Sequence, residues 1–172
     1  RLEPERQHRQ LADVDAHRAR GAGEPERVTA LVVTDGALGV LRVQPVLGRR
    51  FTAEDDAAKA PPRVMLGHGY WERKFGSDPG VIGKPVTIDG RAHEIIGVLP
   101  AGFTFLDTTP QLVLPFGLNR AEVFVGNFSY QGIARLKPGV TLAQTNADVA
   151  RMIPLVMERF PMPPGFTKQM FQ

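Results

Sequence analysis

The side chains that could support catalysis or bind a metal are few and scattered along the sequence. The densest carboxylate cluster is Glu54-Asp55-Asp56, which closely follows Thr52. Several neighbouring oxygen ligands suit a hard cation such as calcium, but the alternating acidic loop of an EF-hand is absent. Acidic residues after a threonine also fit the first turn of a helix, where negative charge meets the positive end of the helix dipole. We therefore expect a structural helix start at 52–56 and no metal ligand.

The histidines and serines do not form a recognisable catalytic motif. None of the four histidines has a partner four residues away, as a helical zinc motif requires. The two serines, Ser77 and Ser129, lack the G-x-S-x-G context that exposes a nucleophile. We expect no catalytic residue, no cofactor-binding residue and no metal ligand, and a hydrolase using His68 or the 54–56 cluster is the least favoured class. The four histidines are His8, His17, His68 and His93.

The stretch from Gly80 to Lys84, GVIGK, superficially resembles a phosphate-binding loop. That loop needs a glycine five residues before its second glycine and a serine or threonine after the lysine. Asp78 and Pro85 occupy these positions, so we reject a nucleotide site here. Asp78, like Asp89, is better explained as a turn residue, because its short side chain can bond to the nearby backbone.

The overall composition is that of a globular chain. It has 172 residues, of which 42% are hydrophobic and 23% are charged, enough for one domain or two small ones. The absence of cysteine excludes disulfides, thiolate zinc sites and thiol nucleophiles. The net charge of +3 is well short of a nucleic-acid-binding footprint. No apolar run approaches the roughly 20 residues that span a bilayer, so we expect a soluble chain that could be cut from a longer protein.

The strongest local pattern is a strand, a short helix and a hairpin in the middle of the chain. The short apolar run Val64-Met65-Leu66 predicts a buried strand. Trp71 and Phe75, four residues apart, predict one face of a helix. Asp89-Gly90 lies between two β-rich runs and predicts a type I′ hairpin turn.

The rest of the chain adds further strands and one long helix. Strands are predicted at 28–34, 111–116 and 128–136, and Asp35 is predicted to cap a short helix over 36–41. The clearest helix spans 141–160.

The start of that helix is a capping box in which Thr141 and Gln144 satisfy each other's backbone donors. Pro154 inside the helix is expected to kink it. Together these elements predict an α+β fold, with a mixed β-sheet of about five to six strands and two or three helices.

The middle of the chain also carries a family resemblance. The stretch 69–105, GYWERKFGSDPGVIGKPVTIDGRAHEIIGVLPAGFTF, resembles the MacB-like extracytoplasmic core domain of ABC transporter permeases, in the FtsX/MacB superfamily. It is most similar to the large duplicated permeases of that group. Two further family patterns are matched at 41–51 and 135–144, with Arg42 in place of a glycine and Thr145 in place of an alanine. The matching residues of the central stretch are Trp71, Arg73, Phe75, Gly76, Asp78, Pro79, Ile82, Gly83, Asp89, Gly90, Ile96, Gly97, Val98, Pro100, Gly102 and Phe103.

The resemblance implies a division of the chain. Residues 1–21 are expected to be a polar, flexible N-terminal segment. Residues 22–161 are expected to be the core domain, and 162–172 a C-terminal tail truncated before the next transmembrane helix. The resemblance also allows a split into a porter-like α/β part and a smaller β-rich part.

The resemblance further implies a function without chemistry. The domain would be the periplasmic portion of a bacterial inner-membrane permease and would couple cytoplasmic ATP hydrolysis to conformational work or efflux outside the membrane. The implied partners are an ABC ATPase domain or subunit, reached through transmembrane helices outside this chain, a periplasmic adaptor protein and a second copy in a dimeric transporter. No nucleic acid and no cofactor are implied. The alternative is a free-standing extracytoplasmic module that binds a ligand or another protein.

Overall fold

The computed structural model describes residues 15–20, 26–117, 119 and 132–160, and for 15–20 it describes the backbone. The chain divides into two compact units, 1–118 and 119–172. Among the described residues, the first unit contains the β-sheet, two α-helices and a short 3-10 helix (Pro79–Val81), and the second contains one long α-helix. The α+β class predicted from the sequence is confirmed.

The sheet of the first unit is mixed and closes on itself. β6 pairs with β4 along one edge and with β5 along the other, so six strands form a ring in the order β6-β4-β7-β2-β1-β5. The pairs β2–β7 and β4–β6 are parallel, and the other pairs are antiparallel. The two-residue strand β3 is a seventh member that pairs with the end of β6. The strands are β1 (Asp15–Arg20), β2 (Glu26–Val33), β3 (Leu47–Gly48), β4 (Arg63–Leu66), β5 (Pro85–Ile88), β6 (Arg91–Val98) and β7 (Leu112–Pro115).

Two parts of the predicted strand pattern differ from the structure. β1 lies in the segment 1–21 that we expected to be flexible, and residues 15–20 pair with β2 and with the end of β5. Of the predicted strand at 128–136, residues 132–136 have no strand structure, and 128–131 lie outside the described residues. In both cases the residue pattern of the segment itself could not show whether a neighbouring strand pairs with it.

The hairpin between β5 and β6 is confirmed. Ile88 pairs with Arg91 across the two-residue connection. Asp89 and Gly90 both have positive φ angles, 48° and 79°, as a type I′ turn requires. Asp89 and Gly90 tolerate this left-handed backbone, and the turn therefore fixes the register of the two strands.

The helix α1 (Ala37–Val40) begins differently from the prediction. Its N-cap is Gly36, and no side chain caps it. The predicted cap, Asp35, is wrong: it lies one residue before the N-cap, and its backbone N–H donates to the side chain of Asp56. The connection before α1 is thus held by Asp56, which lies in another turn of the chain.

Apolar side chains pack on both faces of the sheet. Alternate residues of a strand face opposite sides, so Val64 and Leu66 belong to one buried cluster and Met65 to the other. The helix α2 (His68–Phe75) packs on the first cluster, and Leu38 of α1 packs in the second. Gly76, with φ of 59°, ends α2 in the left-handed conformation typical of a helix C-terminus.

The buried residue of α2 is Tyr70, which is 1% exposed. Trp71 and Phe75, the pair that predicted the helix, are partly buried against the same cluster. The indole N–H of Trp71 donates to the carbonyl of Asp78, and this bond holds the indole beside the turn that follows the helix.

The helix α3 (Leu142–Arg159) belongs to the second unit. The predicted capping box is confirmed, since the Thr141 side chain accepts from the Gln144 N–H and the Gln144 side chain accepts from the Thr141 N–H. Pro154 lies inside α3. Several apolar side chains of this helix are exposed. None of the described helices combines the length and the apolar character needed to cross a membrane.

Candidate functional site

Asp55, in the middle of the acidic cluster, is held by arginine side chains. Its carboxylate accepts two hydrogen bonds from Arg49, at 2.5 and 3.1 Å, and one from the Thr52 backbone N–H at 2.8 Å. The Arg63 Nε lies 3.7 Å from the same carboxylate and the guanidinium also pairs with Glu94. The side chain of Asp55 is only 8% exposed.

The charge of Asp55 is stabilised by these partners. The hydrogen bond from Arg49 is the main cause that lowers the pKa of Asp55 to about 2, against the opposing effect of burial. An ionised carboxylate whose oxygens already accept hydrogen bonds from Arg49 and from the Thr52 N–H has little capacity left for a metal. In the part of the chain that the structure describes, no group of histidine and acidic side chains is arranged to hold a metal ion.

The other two carboxylates of the cluster point to different surroundings. Asp56 accepts hydrogen bonds from the backbone N–H groups of Asp35, at 3.1 Å, and Gly117, at 2.8 Å. Glu54 is exposed, and a hydrogen bond with the Thr52 side chain lowers its pKa. The segment 52–56 is a turn, with the N–H groups of Asp55 and Asp56 bonded to the Thr52 carbonyl, and not the helix start that we predicted.

The histidines that the structure describes make local contacts. His68 is the first residue of α2, where its Nδ1 lies 3.4 Å from the Glu72 carboxylate and its ring meets the edge of Trp71. The Nδ1 of His93 lies 3.0 Å from the carbonyl oxygen of Arg91. His8, Ser129 and the side chain of His17 lie outside the described residues. Ser77 lies in the turn after α2, with φ of 60°.

The stretch that resembles a phosphate loop is a capped turn. The Asp78 side chain accepts from the Gly80 N–H at 2.8 Å and from the Lys84 ammonium at 2.7 Å. The hydrogen bond from Lys84 is the main cause that lowers the pKa of Asp78. The lysine that would contact a phosphate is thus paired with an aspartate of its own turn.

A shallow cavity of 190 Å³ lies where the parallel strands β4 and β6 end and α2 begins. Its lining includes His68, Tyr70, Arg73 and Phe103. Arg73 pairs with Glu26 at 3.3 Å and lies over the Tyr70 ring, so its charge is already engaged. Ligand pockets usually exceed about 300 Å³, and this size disfavours a dedicated small-molecule site.

Sequence reasoning missed the arginines that organise this unit. Arg49 and Arg63 both contact Asp55, although they precede and follow it in the chain. Arg49 belongs to the family pattern at 41–51 and Arg63 is the first residue of β4, but neither position indicates an ion pair with Asp55. What the candidate residues have in common is that they bind backbone groups or opposite charges of the same unit.

Comparison with known protein families identifies the domain. The family model of the MacB-like periplasmic core domain matches residues 4–152, which is most of the chain.

The chain belongs to the MacB-like periplasmic core domain family.

As a MacB-like periplasmic core domain, it is an extracytoplasmic portion of an ABC transporter permease, as its sequence predicted. The family match begins before residue 22, where we placed the start of the core, and it includes β1. A comparison with curated protein sequences finds no match.

Two solved structures agree with the family in fold, and a third aligns over a smaller part of the chain. The periplasmic region of MacB from Actinobacillus actinomycetemcomitans aligns with 82% of this MacB-like chain, with a TM-score of 0.59 and 15% identity. A domain of a putative permease protein from Porphyromonas gingivalis aligns with 82% as well, with a TM-score of 0.56 and 18% identity. The extracellular domain of the noncanonic ABC-type transporter YknZ from Gram-positive bacteria aligns with 59%, with a TM-score of 0.49 and 25% identity. The chain covers 63%, 65% and 50% of these three structures, respectively.

Proposed function

We propose that this domain does no chemistry and transmits movement within an ABC transporter. In this proposal, ATP hydrolysis by a cytoplasmic ATPase domain or subunit shifts transmembrane helices outside this chain, and the shift displaces the domain as a rigid body. The displacement performs conformational work or expels a substrate outside the membrane. The observation that carries the proposal is the family match over residues 4–152.

The contacts of the polar side chains support a non-catalytic role. The carboxylates of Asp55, Asp56 and Asp78 accept hydrogen bonds from backbone N–H groups of the same unit. General acid–base catalysis needs a group that can reach a substrate proton and titrate near the working pH. The lowered pKa values of Asp55 and Asp78 act against such a role.

We also propose partners for the complete transporter. For nucleotide to move the domain, the transporter needs two arrangements, and nucleotide must bind more tightly to one of them than to the other. A second copy of the permease and a periplasmic adaptor protein are the partners against which such a displacement would act. Chemical cross-linking of the full-length protein in its own membranes tests this, and the expected result is a cross-linked dimer through this domain.

Calorimetry with ATP tests the non-catalytic assignment. Titration of the purified chain with Mg-ATP is expected to give no saturable heat, because in the loop that resembles a phosphate site the lysine is paired with Asp78. Saturable binding, or release of phosphate by the purified chain, would contradict the proposal. The full-length transporter with its ATPase serves as the positive control.

A further inference from the structure

The carboxylate of Asp56 joins the ends of two neighbouring strands. One oxygen accepts from the N–H of Asp35, which lies two residues after the end of β2. The other accepts from the N–H of Gly117, which lies two residues after the end of β7. β2 and β7 are parallel neighbours whose last pair is Val33 with Pro115. The bond from the Phe116 N–H to the Val33 carbonyl extends this ladder by one step.

The turn that carries Asp56 is itself fixed to the sheet. The Asp56 N–H donates to the Thr52 carbonyl, and the neighbouring Asp55 is bonded to Arg49. One backbone hydrogen bond, from the Arg49 N–H to the Ile96 carbonyl at 2.9 Å, attaches that arginine to β6. Because the turn is held in this way, the Asp56 carboxylate cannot move with one of its two N–H donors without lengthening its hydrogen bond to the other.

Gly117 lies at the end of the first compact unit. Gly117 immediately precedes the boundary between the two compact units, which falls after residue 118. Its φ is 64°, a conformation that side chains with a Cβ rarely adopt, and among the described residues no atom outside its two chain neighbours lies within 4 Å of the place where a Cβ would be. The chain therefore leaves the first unit through a residue whose direction depends on its backbone and on the bond to Asp56.

We propose that Asp56 is a positioning residue that couples the exit of the chain at Gly117 to the β2–α1 connection at Asp35. A displacement of the chain at residue 117 is passed through the two oxygens of one rigid carboxylate to Asp35. It is then delivered to the ends of two strands of the sheet. This coupling is a property of the chain alone and does not depend on the proposed transport function.

Amide hydrogen exchange, measured by NMR on the full 172-residue chain, tests the coupling. Gly117→Ala perturbs the exit without a steric clash, because only its backbone conformation disfavours alanine. We expect Gly117→Ala to speed exchange of the Asp35 amide by about tenfold, the factor that corresponds to weakening a hydrogen bond to a charged group. In an Asp56→Ala background, the same substitution is expected to change that rate by less than about twofold.

The controls separate coupling from general stability. Glu54→Gln alters an exposed neighbour in the same turn and is expected to leave the response of Asp35 intact, and Asp56→Asn replaces Asp56→Ala if the alanine variant does not fold. Amides of β6 serve as an internal reference and are expected to keep their exchange rates. The proposal is overturned if Asp35 does not respond to Gly117→Ala, or responds equally without the Asp56 carboxylate. Acceleration of the β6 amides by the same factor would also overturn it.

Discussion

Asp55 lies between Arg49 and Arg63 with two of its donors on one guanidinium, and Asp56 beside it binds two backbone N–H groups from distant turns. At this scale, the domain uses its carboxylates to fix loops to the sheet. The sequence showed that these residues were acidic and adjacent, and it favoured a structural role over a metal site. Their partners could not be predicted, because Arg63 and Gly117 are distant from the turn in sequence or lie on other strands' ends and meet it only through the pairing of the sheet.

Loss of the Asp55 charge is expected to destabilise the first unit in a pH-dependent way. Because the folded-state pKa of about 2 is below the usual 3.8, the ionised group stabilises the fold above about pH 4, and this stabilisation is lost as the pH falls towards 2. Asp55→Asn should lower the free energy of unfolding by about 2 kcal/mol at neutral pH. Urea denaturation at several pH values measures this.

The control for Asp55 is its exposed neighbour. Glu54→Gln should change the free energy of unfolding by less than about 0.5 kcal/mol. The difference between Asp55→Asn and the wild type should shrink when the pH is lowered through the range given above. A difference that is constant down to pH 2 would show that the charge of Asp55 is not the cause.

Tyr70 offers a second test at the level of a single residue. Its side chain is 1% exposed, its hydroxyl has no hydrogen-bond partner within the described structure, and burial raises its pKa to about 12. Tyr70→Phe removes a buried polar atom that is left unsatisfied, so the free energy of unfolding should stay the same or rise by up to about 1 kcal/mol. Thermal and urea denaturation measure this, and a loss above about 1 kcal/mol would show that the hydroxyl is bonded in solution.

At the scale of elements, local signals predicted the structure where the element needs no distant partner. The Asp89-Gly90 hairpin and the capping box of α3 depend on residues within a few positions of each other, and both are confirmed. β1 and the closure of the sheet depend on pairing between β1 and β5. The polar sequence of Asp15–Arg20 carries no periodic apolar pattern that would indicate such a strand.

Two glycines should respond in opposite directions to alanine. A Cβ at Gly97 would lie 2.7 Å from the Arg49 carbonyl oxygen and 2.9 Å from the Met65 Cε, because β3 and the chain around it pack directly on β6. Gly97→Ala should therefore lower the free energy of unfolding by about 1–3 kcal/mol or more. At Gly69, in the first turn of α2, no atom of the described residues beyond the chain neighbours and the helix's own backbone lies within 4 Å of the Cβ position.

Gly69→Ala is the matched comparison for Gly97→Ala. Alanine reduces the backbone entropy lost in a helix, so this variant should gain about 0.5 kcal/mol. Urea denaturation of both variants under the same conditions checks the pair. A similar loss of stability in both would contradict the close approach of β3 to β6.

The cap of α3 can be tested separately from the sheet. Thr141→Ala removes the side-chain oxygen that accepts from the Gln144 N–H, while the backbone N–H of residue 141 can still donate to the Gln144 side chain. The helix should lose about 1 kcal/mol of stability. Amide exchange of residues 142–146 should accelerate, while exchange in β4 and β6 stays unchanged. Equal acceleration in the sheet would contradict a role restricted to the helix.

At the scale of the whole molecule, the family assignment depends on glycines, aromatic residues and turns in a fixed order. The same residues form the hairpin, the end of α2 and the close contact at Gly97. They specify the fold and say little about a reaction. This is why the sequence predicted the family and the extracytoplasmic location. The same residues carry no information about the substrate or about the face that contacts a partner.

The most direct test of the account is hydrogen exchange of this domain within the full-length transporter in membranes. Exchange of peptides from residues 26–117 would be compared without nucleotide, with Mg-ATP and with a non-hydrolysable ATP analogue. A domain that transmits movement without binding nucleotide is expected to change its exchange in the intact transporter when ATP binds and to show no change as an isolated chain. Exchange that is identical in all nucleotide states of the intact transporter would contradict coupling, and a response of the isolated chain to ATP would contradict the absence of a nucleotide site.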